Sequence, residues 1–171
     1  MRFDVSFGAL YAPANEVARL GAECEAGGFD GLWVPDSQML YRDPYATLAL
    51  LARDTRQARL GPMVTNALTR HPAVTANAIL TIQELSGGRA ILGLATGDSA
   101  VRRVGARPMG LGDLESAMAG LRTLLGGGDL PGESGRFAIR FAGGSPPPVY
   151  VAATGLRALE MAGRVADGVI V

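Results

Sequence analysis

The chain has 171 residues, 48% hydrophobic and 19% charged, with 16 basic side chains set against 16 acidic ones, which is the composition of an ordinary globular protein. Every basic residue is arginine, so chemistry on a lysine amine, whether a Schiff base or the lysine of a phosphate-binding loop, is excluded. A formal charge of zero, with Arg102 and Arg103 as the only adjacent basic pair, gives no surface for nucleic acid.

The opening Met-Arg-Phe-Asp carries no secretion signal, and no apolar run reaches the roughly 18 residues that span a bilayer. A lone cysteine, Cys24, cannot form an intramolecular disulfide, so a soluble, cytoplasmic protein without membrane or nucleic-acid partners is expected.

Four apolar runs short enough to be strands begin near Phe3, Gly31, Arg59 and Arg89, at intervals of about 28 to 30 residues. Between them lie segments with helical spacing: Val17, Leu20 and Cys24, then Tyr45, Leu48 and Leu51, then Val74, Ala78, Ile82 and Leu85. Asp43-Pro44 and His71-Pro72 each place a capping side chain before a proline at the first helical position. Gly27-Gly28 and Gly87-Gly88 close the first and third helices. After the fourth strand, Arg89 to Ala95, a loop with Gly105, Pro108 and Gly112 leads to a helix over about 113–125. A glycine-rich stretch with a strand-like Arg136 to Phe141 follows. A fifth strand over Val149 to Ala153, a helix over about 156–166 and a sixth strand from Gly168 end the sequence.

Strand, helix and strand at this period describe βαβ units with parallel strands and right-handed crossovers, so the fold class is α/β. Six such units fit a TIM-type (β/α)8 barrel, which takes about 250 residues, so the chain reads as a single domain over 1–171, truncated after about six strands. A fragment, a degraded gene product, or a half-barrel pairing with a second copy to cover its edges all satisfy that reading. A complete six-stranded doubly wound domain is the alternative.

In either fold, ligands lie beyond the carboxyl ends of the strands. Those ends are Gly8 to Tyr11, Pro35-Asp36-Ser37, Thr65-Asn66, Thr96-Gly97-Asp98-Ser99 and Ala153-Thr154-Gly155. Asp36 and Asp98 therefore reach one mouth, where a carboxylate accepts a hydrogen bond from a heterocycle or moves a proton; as turn and cap residues they need neither role. Thr154, Gly155 and Arg157 bring backbone N–H groups, a hydroxyl and a guanidinium to one strand-to-helix turn, which suits either a phosphate or a plain cap. His71, the only histidine, is read as a cap, and a lone imidazole builds no metal site. Cys24 and Trp33 are read as core, and Gly93 to Gly97 does not make a dinucleotide fingerprint.

Seven stretches in register carry a resemblance over nearly the whole chain. They are Ala26 to Ser37, Tyr41 to Tyr45, Leu60 to Asn66, Thr69 to Ala73, Glu84 to Arg89, Gly97 to Ala100, and Val149 to Ala153 continued by Ala166 to Val169. Together they resemble the luciferase-like monooxygenase family, in its methylenetetrahydromethanopterin reductase branch. The resemblance implies a TIM-type barrel that binds coenzyme F420 or FMN at its carboxyl mouth and transfers hydride to or from a small organic substrate. It also implies a non-proline cis peptide at Met63-Val64 behind the central ring, with Asp36, Thr65 and Asn66 around the ring's polar edge. Asp98 would lie on the substrate side, and Thr154, Gly155 and Arg157 would hold the phosphate tail. The sequence departs from the family in having Ser37 for a histidine, Met63 for a glycine and Ala95 for a glycine, and in lacking the last strands. An inactive barrel fragment that binds cofactor weakly or dimerises is the competing reading.

Overall fold

The computed structural model of the protein describes residues 1–8 and 12–171, so Ala9 to Tyr11 of the first expected strand end lie outside the described residues. In chain order the first half comprises β1 (Asp4–Ser6), α1 (Ala14–Ala26), β2 (Gly31–Val34), α2 (Pro44–Asp54), β3 (Arg59–Pro62), β4 (Thr65–Asn66) and α3 (Pro72–Leu85). The second half comprises β5 (Leu92–Ala95), α4 (Ser99–Arg103), α5 (Leu111–Leu125), β6 (Asp129–Gly132), β7 (Gly135–Ala138), β8 (Val149–Ala152), α6 (Leu156–Val165) and β9 (Gly168–Ile170).

Local chemistry sets the helix starts as the sequence implies. Asp43 Oδ1 accepts from the N–H groups of Tyr45 and Ala46 at 2.9 and 3.0 Å, and His71 Nδ1 accepts from Ala73 N–H at 3.2 Å, each ahead of a proline. Helix α1 ends at Gly27, and Gly28 and Gly88 take positive φ beyond their helices. Two local features differ from expectation. Ser99 to Arg103 form the five-residue helix α4 where a loop is expected, and the strand-like run near Arg136 is half of an antiparallel hairpin, β6 with β7.

The sheet explains the period of the sequence. Strands β1, β2 and β3 pair in parallel in that order, and β4, β5, β8 and β9 pair in parallel in theirs. Hydrogen bonds from Leu60 N–H to Arg89 O and from Ile91 N–H to Leu60 O join the two sets. Counting β3 and β4 as one interrupted strand, six parallel strands lie beside their sequence neighbours. A doubly wound sheet reverses strand order at its centre, so this order is that of a TIM-type barrel, with six of its strands present. Leu32, Leu60, Leu92 and Leu94 from the strands and Leu48, Leu51, Ile79 and Leu121 from the helices are fully buried in one core. Each stabilises the fold by roughly 1.5–3 kcal/mol through lost apolar contact with water.

The order also leaves β1 and β9 without a partner on their outer sides among the described residues. Between them opens a cavity of about 380 Å³ on the barrel's inner face, lined by Asp4, Trp33, Met63, Tyr150, Val169 and Ile170 among others. Trp33 Nε1 donates to Asp4 Oδ2 at 3.0 Å there, and its ring centroid lies 6.4 Å from that of Tyr150. Cys24 is half-buried against the core, as its helical spacing implies.

Candidate functional site

Three strand ends meet in one hollow. Pro35 to Ser37 follow β2, Met63 to Asn66 form the break between β3 and β4 and the short strand after it, and Ala95 to Ala100 lead from β5 into α4. The cavity they enclose measures about 360 Å³, within the range of small-molecule sites. Of the residues expected to serve the site, Asp36, Met63, Val64, Thr65, Asn66 and Asp98 all line it. The Met63-Val64 peptide bond is cis and stands between β3, which pairs with β2, and β4, which pairs with β5.

The two carboxylates differ sharply. Asp36 has a side chain only 1% exposed, and its Oδ2 accepts from Thr65 Oγ1 at 2.6 Å while its Oδ1 accepts from Gln38 Nε2 at 2.7 Å. Arg70 Nε lies 3.7 Å from the same Oδ2. Asp98, with a side chain 81% exposed, occupies the position before α4 but does not cap it; its carboxylate pairs with Arg102 Nε at 2.6 Å. Asp36 is thus a buried, hydrogen-bonded carboxylate and Asp98 an exposed one on the rim, which suits the first to orientation and the second to contacts with solvent or substrate.

Asn66 is oriented by its own loop. Its Oδ1 accepts from Leu68 N–H at 3.0 Å, Thr69 N–H at 2.8 Å and Thr69 Oγ1 at 3.1 Å. With the oxygen taken, the amide nitrogen is the polar group Asn66 has left to offer, so at the hollow it is a donor. Ser37, in the place where a histidine is implied, is buried and shares a short hydrogen bond with Ser99 Oγ across the mouth. Beside them the Tyr45 phenol is pushed above its usual pKa by burial and by the facing Asp36 carboxylate.

Thr154, Gly155 and Arg157 do not line this hollow. They follow β8, which pairs in parallel with β5 through Leu94↔Val151. All three are exposed, and the cap of α6 is Gly155 with no side-chain hydrogen bond, so the plain-cap reading of Thr154 is not realised. His71, in contrast, serves as the cap it was read to be. The sequence placed Tyr45 on an apolar helix face and Ser99 at a strand end without a role for either, and gave Arg70 none. Arg70 beside His71 is the one readable signal, a cation at a helix start where a cation is electrostatically out of place.

Residues 3–171 match the family model described as luciferase-like monooxygenase. The chain belongs to that family.

Within the luciferase-like monooxygenases, the 5,10-methylenetetrahydromethanopterin reductase of Methanolobus tindarius is 36% identical over 182 residues, covering 98% of this chain and 54% of that protein. The reductase of the same name from Archaeoglobus fulgidus is 38% identical over 155 residues, covering 86% of this chain and 46% of that protein. Among solved structures, the coenzyme F420 dependent tetrahydromethanopterin reductase from Methanopyrus kandleri superposes with a TM-score of 0.80 at 26% identity, over 99% of this chain and 54% of that one. The chain spans about half the length of the relatives it matches. The luciferase-like barrel is therefore the fold of this chain, and the implied departures have visible consequences. Ala95 lines the hollow, and Met63 contacts both the hollow and the inner-face cavity.

Proposed function

We propose that this chain builds the cofactor-holding mouth of an oxidoreductase that passes hydride between coenzyme F420, or FMN, and a small organic substrate. The observation that carries the reading is the convergence of buried Asp36, the Met63-Val64 turn and the donor Asn66 on one hollow at the carboxyl ends of the strands. The residues present fit such a ring: a cavity of suitable size, a donor from Asn66, hydroxyls from Ser37 and Ser99, and apolar wall from Met63 and Val64. A bound deazaflavin or flavin supplies the hydride chemistry itself.

The chain's own residues bind and orient. Asn66 holds an acceptor at the ring's edge, and Asp36 keeps Thr65 and Gln38 in place beneath it. Thr154, the free N–H groups at the start of α6 and Arg157 take the phosphate on the adjoining rim. Asp98 meets the substrate from the exposed side. The Ser37–Ser99 pair replaces an imidazole with two hydroxyls, which relay a proton without storing one near neutral pH. The similarity to methylenetetrahydromethanopterin reductases supports F420 as the first ring to test. We also infer a cytoplasmic setting, in keeping with the unpaired Cys24, and a second copy of the chain covering the β1 and β9 edges.

Titration of the protein with F420, FMN and riboflavin, followed by ring fluorescence, tests the reading. Saturable binding of F420 or FMN is expected, with Arg157→Ala weakening FMN about tenfold and leaving riboflavin, which lacks the phosphate, unchanged. No uptake of either cofactor at 100-fold excess rejects the cofactor reading, and equal losses for FMN and riboflavin reject the phosphate role.

A further inference from the structure

Arg70 stands behind the mouth rather than in it, and three elements depend on it. Its Nη2 makes a short ion pair with Asp43 Oδ2, whose other oxygen caps α2. Its Nε faces Asp36 Oδ2 across 3.7 Å, and its guanidinium carbon lies 5.1 Å above the centre of the Tyr45 ring. Arg70 itself sits in the loop that joins β4 to α3. One cation thus spans the end of β2, the start of α2 and the approach to α3. It lines none of the hollow.

The surroundings show that this cation has no substitute. Asp36 is the only charged group of the hollow that is buried, and Arg70 is the one cationic side chain paired with it among the described residues. Arg70 Nε is buried without a hydrogen-bond partner, so its contact with Asp36 is one of charge and position and not of a hydrogen bond. A buried carboxylate whose compensating cation is removed is strongly disfavoured, and its side chain turns toward whatever water or donor it can reach. For Asp36 the open space it borders is the hollow.

We propose that Arg70 is the positioning residue of this site: clamped between Asp36 and Asp43, it holds the Asp36 carboxylate back against Thr65 and Gln38 and so keeps the ring-facing surface in a single arrangement. The inference rests on the cofactor reading above for the identity of its ligand, but the clamp itself is a property of the chain. A planar guanidinium donates to Asp43 while setting its charge against Asp36, whereas a lysine ammonium is a single point charge that cannot span both. Arg70→Lys therefore keeps the charge and loses the span, which separates positioning from charge compensation.

The test is a double-mutant cycle of Arg70→Lys and Asp36→Asn, read first by the affinity for F420 and FMN. Each single variant is expected to weaken binding by about tenfold or more, and the double variant by no more than the worse of the two, because both remove the same restraint. Multiplicative losses, or wild-type affinity in Arg70→Lys, overturn the proposal. The second reading is the side-chain amide resonance of Gln38 in 15N-labelled protein, measured without cofactor. Arg70→Lys is expected to shift it in the direction of Asp36→Asn, while Arg56→Lys, a substitution remote from the mouth, leaves it in place. An unmoved Gln38 resonance overturns the clamp whether or not any ring binds. If the wild-type protein takes up neither cofactor while the resonance moves, the cofactor reading fails and the clamp stands.

Discussion

Arg89 illustrates how much of this structure is held by single side chains reaching across the sequence. Its guanidinium donates to Ser86 O at 2.8 Å, Ala58 O at 2.5 Å, Thr55 Oγ1 at 3.0 Å, Thr55 O at 3.0 Å and Ala52 O at 3.2 Å. Those acceptors belong to the end of α2, the loop to β3 and the end of α3, so one residue gathers the ends of three segments. Burial holds this guanidinium below the ordinary arginine pKa, which still leaves it charged at any working pH. Arg89→Met strands the carbonyls that the guanidinium satisfies, and a loss of about 2–4 kcal/mol is expected in urea denaturation. A loss under about 1 kcal/mol would show that water replaces the guanidinium without cost. The caps at Asp43 and His71 were legible in the sequence because donor and acceptor lie two or three residues apart and a proline marks the position. Arg89 and Arg70 were not, because their partners lie up to 37 residues away and no spacing rule connects them.

At the scale of elements, the period of apolar runs made the six strands readable, while the break in the third was implied by family resemblance alone. The physical condition for that break lies in Gly93. A Cβ there would stand 2.3 Å from the Pro62 carbonyl oxygen and 3.1 Å from Val64 Cγ1, so β5 approaches the turn only because it has no side chain at that point. Ala95, two positions on, faces the hollow and not the turn. Gly93→Ala is expected to push β5 from the turn at a cost of about 1–3 kcal/mol and to lower cofactor affinity as well, since the displaced turn is a wall of the hollow. Unchanged affinity with lowered stability would show that the wall is set elsewhere. Helix α4 escaped the sequence because five residues carry too little helical period, and of the hairpin only the strand-like run near Arg136 was legible because the exposed β6 carries no apolar alternation.

The same scale governs the response to acid. Glu25, near the end of α1, accepts from the N–H groups of Arg56, Gln57 and Ala58 at 2.9, 2.8 and 2.7 Å, tying that helix to the loop before β3. Burial raises its pKa, but the three N–H donors and the Arg89 charge outweigh burial and leave it below the usual glutamate value. Asp43 is lowered in the same way, burial being overcome by Ala46 N–H and Arg70. A depressed folded-state pKa means that the unfolded chain binds protons first. The stabilisation is therefore complete above the unfolded values near 4 and is lost as pH falls from there through the folded ones. The thermal midpoint should be flat from about pH 7 to 5 and fall steeply below pH 4. In Glu25→Gln that acid limb becomes shallower, and stability at pH 7 drops by about 1 kcal/mol. An acid limb as steep as that of the wild type would assign it to other carboxylates.

At the scale of the whole molecule, the sheet curves without closing among the described residues. A parallel strand with one free edge presents unpaired N–H and C=O groups in register, and the cavity between β1 and β9 exposes the barrel's inner face, with Trp33 and Tyr150 on its wall. Val169 in β9 is exposed, as are Phe3 beside β1 and Val171 beyond β9. Edges of this kind are quieted in monomeric proteins by charge, proline or a covering element, and among the described residues β9, reading Gly-Val-Ile, has none of these. The 171-residue polypeptide should therefore associate at micromolar concentration, giving a mass of two chains or more by light scattering after size-exclusion chromatography. Val169→Lys places a charge on the edge at a residue that does not line the mouth, and is expected to raise the monomer fraction while leaving F420 affinity within about twofold. A wild-type chain that stays monomeric at 100 micromolar would mean that these edges are already satisfied within one molecule. A Val169→Lys variant that becomes monomeric but loses its cofactor would instead tie the mouth's geometry to the assembly, because closing the barrel's flank would then be what fixes the spacing of its strand ends.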